Sequence, residues 1–166
     1  MNISEQMLEQ ERIEKQLEIT QDIVKMIKQW SEVFGAPIQS NKSIPSNFRE
    51  NICYKLIAEE LEELFEAQNE KNLEDIQDAL GDLLWVVIRA MMEYGIDPLT
   101  TIQSIYKSNM SKLDGSLEDA ILTKSEYEKK GVETYYEKTK NGKYVTKRTL
   151  DDKILKSHKF VKPNFK

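Results

Sequence analysis

Apolar side chains recur every three or four residues through the first two thirds of the chain. Between Leu8 and Phe34 they follow the spacing of one face of an α-helix. Gly35 and Pro37 then interrupt that spacing, as glycine and proline do at the ends of helices. The pattern predicts a long first helix over residues 8–34, followed by a loop.

Three more segments show helical spacing together with start and stop signals. Asn47, with Glu50 three residues later, forms a capping-box pattern at the start of the second segment. Asn72 is a good N-cap for the third, and Gly95 is a good left-handed end for it. Pro98 suits the first position of the fourth. The sequence therefore predicts further helices over 47–69, 72–95 and 97–110.

After Gly115 the pattern changes. Residues 116–131 predict one or two short helices, and residues 132–149 alternate in period two around Asn141-Gly142, a strong hairpin signal. Residues 151–160 could add a third short strand. We expect a mainly α fold, a four-helix-type bundle with a small C-terminal β-hairpin appendage. It would be a single domain over 1–166, with the bundle over 1–115 and a basic, partly β extension over 116–166.

Composition and charge narrow the functional class. Residues 1–100 carry 20 acids and 9 bases, a net charge of −11, whereas residues 101–166 carry 9 acids and 15 bases, a net charge of +6. One cysteine and one histidine exclude an internal disulfide and a Cys- or His-rich zinc site within one chain. No apolar run is long enough to span a membrane. The single cysteine suits a reducing cytosol, so we expect a cytoplasmic protein. The acidic pI of the chain argues against dedicated nucleic-acid binding.

Four acids occupy positions that the helical pattern would make apolar. Glu60 and Glu63 fall inside the apolar stripe of the second helix, and Asp78 and Asp82 interrupt the apolar surroundings of the third. Unpaired carboxylates in such places require a cation or shared protons. Oxygen-only sets suit hard cations such as Mg²⁺ or Mn²⁺. The alternative is that these acids belong to ordinary solvated helix faces.

Phosphate contacts are expected near the end of the fourth helix. The six glycines form no phosphate-binding loop. The segment KSNMSKLDG instead places Lys107, Asn109, Ser111 and Lys112 close together. Lysine can meet a phosphate, and asparagine can hydrogen-bond a base or sugar. The alternative is a solvated helix end whose lysines complement the helix dipole.

The ordered motifs EELEEL, DALGDLLWVV, GIDP and SNMSK resemble the all-α NTP pyrophosphatase superfamily, which includes MazG-like proteins, dimeric dUTPases and phosphoribosyl-ATP pyrophosphohydrolases. The segments QWSEVFGAPI and DDKILKSHKFVKP resemble a MazG-like branch of phages and bacteria. The resemblance extends from Gln21 to Pro163. It implies Mg²⁺-dependent hydrolysis of a nucleoside triphosphate between its α- and β-phosphates, giving the monophosphate and pyrophosphate.

The resemblance also implies roles for particular acids. Glu60 and Glu63 match the ExxE motif of the superfamily, and Asp82 matches the last residue of its ExxD motif. Ala79 stands where that motif has glutamate, so Asp78 is the nearest substitute. The implied metal ligands are Glu60, Glu63, Asp78 and Asp82, and the number of metal ions stays open.

Further implied roles concern the water and the substrate. Glu59 could act with Glu60 and Glu63 in catalysis, by orienting or deprotonating the attacking water, or could be a metal ligand. The alternative is a surface glutamate. Asn109 and Lys112 match the nucleotide-contacting segment of the superfamily, and two tail lysines could join them. The predicted substrate contacts are Asn109, Lys112, Lys153 and Lys156.

The expected assembly is a homodimer or a higher homo-oligomer. The first and third helices have more apolar circumference than one small bundle covers. Trp30, Phe34 and Trp85 would pack in the core or interface, or stack on the base. Two alternatives to a general nucleoside triphosphate pyrophosphohydrolase stay open. One is a phosphoribosyl-ATP pyrophosphohydrolase, and the other is a non-catalytic helical oligomer with a binding or regulatory role.

Overall fold

A computed structural model describes residues 22–165, so residues 8–21 of the predicted first helix lie outside the described part. The fold divides into two compact units, one up to Leu99 and the other over Thr100–Lys166. The single domain over 1–166 stays a prediction. The described elements are α1 (residues 22–34), α2 (Asn47–Glu70), α3 (Leu73–Glu93), α4 (Pro98–Met110), β1 (Leu113–Asp114), α5 (Leu117–Glu128), β2 (Thr134–Lys138) and β3 (Tyr144–Arg148).

The core of the first unit lies between α1 and α3. Ile27 of α1 and Ile88 and Met92 of α3 are buried together. Partly buried apolar side chains surround them, among them Ile23 and Trp85. The helical spacing predicted from the sequence is therefore realised in both helices, and their apolar faces meet.

A tight connection makes α2 and α3 antiparallel neighbours. Lys71 adopts a left-handed conformation (φ 56°) at the end of α2. Asn72 follows as the N-cap of α3, and its side chain accepts hydrogen bonds from the backbone N–H groups of Glu74 and Asp75. Ala67 and Ala79, on either side of this turn, are both buried. The connection places the end of α2 beside the start of α3, where the predicted acids lie.

Two predicted helix ends have different outcomes. The predicted capping box at Asn47 is wrong, because α2 begins at Asn47 itself with Ser46 as its N-cap, and no side chain caps it. The predicted end at Gly95 is confirmed, since Gly95 has a φ of 64° after the last helical turn of α3. A Cβ at Gly95 would overlap the backbone carbonyl of Asn41, so the loop 35–46 passes directly over this position.

The second unit combines α4 and α5 with a small antiparallel sheet in the order β1-β3-β2. The predicted hairpin is confirmed: β2 pairs with β3, with Tyr136 opposite Thr146, and Gly142 in the connecting turn has a φ of 81°. The third strand is β1, where Asp114 pairs with Tyr144. Residues 151–160 instead contribute an isolated bridge at Ile154, so the third strand expected there was wrong.

The mainly α fold with a small C-terminal β appendage is confirmed. Residues 116–131 contain one helix, α5, whose N-cap Ser116 accepts a hydrogen bond from the backbone N–H of Asp119. Over the part of the chain that is described, no helix has the length and apolar character needed to cross a membrane.

Candidate active site

Glu60 is the most shielded of the acids predicted from the sequence. It is partly buried on α2, whereas the side chains of Glu59, Glu63, Asp78 and Asp82 are exposed. Its Oε2 atom is buried and has no hydrogen-bond partner among residues 22–165. An acceptor without a partner in a buried position is costly unless a ligand or cation satisfies it. Of the four acids expected among apolar side chains, Glu60 is partly buried, whereas Glu63, Asp78 and Asp82 are exposed.

The carboxyl group of Glu60 has a raised pKa because it is buried and lies near other acids. Burial raises the pKa of the Glu60 carboxyl, and the negative charges of neighbouring acids raise it further. These neighbours come from both helices of the antiparallel pair: Glu63, Asp82, Glu59 and Asp78. Negative charges gathered around one buried carboxylate create a negative potential that favours a bound cation.

Two clefts open beside Glu63, Asp78 and Asp82. One, of about 220 Å³, has walls that include Glu63 from α2 and Asp75 and Asp78 from α3. The other, of about 250 Å³, has walls that include Asp78, Gly81 and Asp82 from α3. Asp78 lines both clefts. The structure therefore brings three of the four predicted metal ligands to the walls of clefts large enough for a small polar ligand.

The donor types fit a hard divalent cation. The four predicted ligands supply only carboxylate oxygens, which Mg²⁺ prefers, and one of them carries the buried unpaired Oε2. Within residues 22–165, no three His, Cys, Asp or Glu side chains are grouped closely enough to hold a metal ion by themselves. Ala79, which stands in place of the expected glutamate, is buried and lines the first cleft without contributing an oxygen. Substrate oxygens and water would have to complete the shell.

A separate ion pair holds α2 and α3 together at the opposite end of their contact. The Nε and Nη2 atoms of Arg49 donate to the two carboxylate oxygens of Glu93 at 2.9 and 2.6 Å. Arg89 Nη2 lies 3.6 Å from the same carboxylate, which is almost fully buried. The hydrogen bond to Glu93 raises the pKa of Arg49, and burial raises that of the neighbouring Cys53 thiol. This pair fixes the two helices that carry the acids, and sequence spacing gave no sign of it.

An aromatic cluster lies beside this ion pair. The Trp30 ring stacks on Phe34 at 4.7 Å between centroids and meets Trp85 edge-on at 5.8 Å. The Arg89 guanidinium lies over Trp30, 4.7 Å from its centroid. Trp30 and Trp85 are partly buried, which agrees with the packing role expected for them, whereas Phe34 is exposed.

The four predicted substrate contacts all lie in the second unit. The backbone N–H of Lys112 donates to the carbonyl of Asn109 at 3.1 Å, so these two residues share one turn at the end of α4. Lys156 is exposed, and its Nζ lies 4.6 Å from the centroid of the Phe160 ring. Lys153 is exposed in the turn that follows β3. Their meeting with the acids of the first unit stays a prediction.

A buried polar network holds the second unit together, and sequence analysis missed it. Asp114 is fully buried and its Oδ1 accepts hydrogen bonds from the hydroxyls of Thr123 at 2.9 Å and Ser157 at 2.6 Å. His158 Nδ1 lies 3.7 Å from the same oxygen. The network joins β1, α5 and the tail. Its members are scattered in sequence, so no local pattern could have suggested it.

Comparison with known proteins identifies the family. The family model for phosphoribosyl-ATP pyrophosphohydrolase matches residues 27–109, which is half of the chain and contains all the predicted metal ligands. No curated protein matches the sequence. The family belongs to the MazG-like all-α NTP pyrophosphatase superfamily, as the motifs indicated. By this match the chain belongs to the phosphoribosyl-ATP pyrophosphohydrolase family and is a pyrophosphohydrolase that acts on phosphoanhydride bonds.

Proposed function

We propose that the protein is a Mg²⁺-dependent nucleoside triphosphate pyrophosphohydrolase that cleaves its substrate at the α–β bond, releasing a nucleoside monophosphate and pyrophosphate. The observation that supports this most is the Glu60 carboxylate. Its Oε2 is buried and unpaired, and burial together with the charges of four neighbouring carboxylates raises the pKa of its carboxyl group. A hard cation carrying a triphosphate would offset both costs at once.

The residue roles that we propose are those that the family motifs imply. Glu60, Glu63, Asp78 and Asp82 would hold Mg²⁺, or Mn²⁺ in its place. The bound ion would offset phosphate charge and lower the pKa of an attacking water. Glu59 lies beside this group on α2 and, with Glu60 and Glu63, would orient the water or take its proton.

The substrate contacts belong to the second unit. Lys112, Lys153 and Lys156 would offset the negative charge that develops on the phosphates during cleavage. Asn109 would hydrogen-bond the sugar or base through its side-chain amide. All four residues are accessible, since Asn109, Lys153 and Lys156 are exposed and Lys112 is partly exposed.

A nucleotide panel tests this proposal. Canonical and modified nucleoside triphosphates are incubated with the protein, with Mg²⁺ or with EDTA, and the released pyrophosphate is measured. We expect turnover of at least one nucleotide with Mg²⁺ only, and a higher melting temperature in Mg²⁺ because the ion binds only the folded chain. Absence of turnover for every nucleotide, together with no Mg²⁺-dependent stabilisation, would reject the proposal.

Phosphoribosyl-ATP is the second candidate substrate, and the family match favours it. The same bond between two phosphates would be broken, so the same acids would serve. Adding phosphoribosyl-ATP to the panel separates the two substrates by their kcat/KM values. The family match also favours an enzyme over the non-catalytic oligomer.

We further propose that the enzyme works as a homodimer or higher homo-oligomer in the cytoplasm, where nucleotides and Mg²⁺ are available. Large apolar side chains are exposed on both helices that carry the acids, including Phe65 of α2 and Leu84 of α3. A second copy of the chain would cover them.

A further inference from the structure

The last residues of the chain bind to α4 through serine hydroxyls. Residues 156–165, here called the strap, contain no helix or strand. Ser104 Oγ donates to the carbonyl of Asn164 at 2.5 Å and accepts from its N–H at 2.9 Å. Ser108 Oγ donates to the carbonyl of Val161 at 2.9 Å, and Ser111 Oγ accepts from its N–H at 2.9 Å. The serine hydroxyls thus satisfy backbone N–H and C=O groups of the strap that would otherwise need a neighbouring strand.

The spacing of these serines explains why one helix face can hold the strap. Positions 104, 108 and 111 are separated by four and three residues, so they lie along one face of α4 and its end. Other contacts fix the start of the strap, including the ion pair of Lys159 with Asp119 at 2.7 Å. The strap is therefore held at both ends within the second unit.

Three lysines adjoin the junction at which Ser111 binds Val161. Lys112 follows Ser111 in the chain, and Lys162 follows Val161. The carbonyl of Lys107 accepts the N–H of Ser111 at 3.1 Å. No ion pair is formed by Lys107, Lys112 or Lys162 with any residue in the range 22–165. The strap itself contains three lysines and no acid. Three lysines that adjoin one fixed junction through the backbone, and that form no ion pair with a described residue, favour an anionic ligand there.

We propose that the strap is a positioning element of the substrate site, which brings Lys162 beside Asn109 and Lys112 as a further contact for the phosphates of the substrate. Ser108 and Ser111 are the positioning residues, because they fix the residue that precedes Lys162. The inference rests on the proposed function, and it adds a residue and a segment to that site.

Kinetics of point variants test the role of Lys162. Lys162→Ala is compared with Lys140→Ala, which removes the same charge from the exposed hairpin turn. For the nucleotide that the wild-type protein hydrolyses, we expect Lys162→Ala to raise KM about 10-fold with little change in kcat, as for loss of one charged hydrogen bond. Lys140→Ala should behave as wild type. Equal KM values for the two variants would overturn the inference.

The positioning residues need a separate readout. Ser111→Ala should raise KM in the same direction and speed hydrogen exchange of residues 160–165, whereas Ser111→Thr keeps the hydroxyl and should restore both. Faster exchange with an unchanged KM would show a purely structural strap and overturn the inference.

Binding of inorganic pyrophosphate in Mg²⁺, measured by calorimetry, separates this inference from the proposed function. If wild type hydrolyses no nucleotide, the proposed function fails. The strap inference then survives only if pyrophosphate binds and Lys162→Ala weakens that binding relative to Lys140→Ala. Equal binding by both variants, or no binding by wild type, would overturn it.

Discussion

At the scale of single residues, the ionised carboxylate of Glu60 destabilises the folded protein when no ligand is bound. Its carboxylate is held where burial and four other acids oppose its charge. A folded-state pKa above the unfolded value means that the ionised form weakens the fold, and this cost grows as pH rises through that pKa. Such costs persist in proteins mainly where binding or catalysis requires them.

Glu60→Gln is therefore expected to separate stability from activity. The change removes the opposed charge while keeping the shape, so the metal-free melting temperature at pH 7 should hold or rise. Activity should fall by about 100-fold or more, the effect of losing one group that stabilises charge in the transition state. The control is Glu62→Gln, an exposed acid on the same helix. A Glu60→Gln protein with wild-type kcat/KM would remove Glu60 from the site.

Glu93 is a buried acid of the opposite kind, because it has two arginine partners. Its carboxylate pairs with Arg49 at 2.6 Å and lies 3.6 Å from Arg89. Removing one partner of a buried pair leaves uncompensated charge, at a cost of about 3–5 kcal/mol.

We expect Glu93→Ala to lower the free energy of unfolding by that amount, measured by urea denaturation. Asp22→Ala, which breaks the exposed pair with Lys25, should cost about 0–1 kcal/mol. Similar losses for the two variants would show that the Glu93 pair contributes no more than a surface pair.

At the scale of elements, Gly95 connects the end of α3 with the loop that passes over it. Its φ of 64° already favours glycine, and a Cβ would also overlap the carbonyl of Asn41. Gly35 shares the positive φ, at 68°, but a Cβ there would meet nothing within 4 Å. The two glycines form a matched pair that separates backbone strain from steric overlap.

Gly95→Ala should therefore destabilise the fold more than Gly35→Ala. The cost of strain alone, expected at Gly35, is about 1–2 kcal/mol. The added overlap with backbone at Gly95 should exceed this cost, since backbone cannot move aside as a flexible side chain can. Thermal denaturation of both variants measures the difference. Equal shifts in melting temperature would mean that the loop 35–46 yields without cost.

Elements with local signals could be predicted from the sequence. Asn72 caps α3 with bonds to the second and third residues of the helix, and Asn141-Gly142 turns the hairpin, because both depend on a few adjacent residues. The two-residue strand β1 could not be predicted, because it exists only through pairing with a distant strand. The strap could not be predicted either, since its partners are hydroxyls about 50 to 60 residues away.

For the candidate site, the sequence pointed to the acids but did not give their burial or the ion pair that holds their helices together. Helical spacing identified the acids, because a carboxylate in an apolar stripe is visible in one helix. The differing burial of Glu60 and Glu63 depends on how α3 packs against α2, which spacing does not encode. The ion pair of Arg49 with Glu93 joins residues 44 positions apart and needed the fold to be seen.

At the scale of the whole molecule, large apolar side chains lie exposed on α2 and α3. Tyr54, Leu61 and Phe65 of α2 are 73%, 51% and 63% exposed, and their spacing of seven and four places them along one face. Leu80 and Leu84 of α3 are also about half exposed. Single exposed apolar residues are common on protein surfaces, but stripes on adjacent helices are typical of interfaces.

We expect the wild-type protein to sediment as a dimer or larger species at micromolar concentration. Its melting temperature should rise with protein concentration, because association stabilises the folded state. The double variant Leu61→Asp/Phe65→Asp should shift the sedimenting mass towards the monomer and abolish that concentration dependence, since two charges would be buried unpaired between the copies. The control is Leu150→Asp in the second unit, where the side chain is 87% exposed. A wild-type monomer at high concentration would contradict the interface, and the stripes on α2 and α3 would then need another partner.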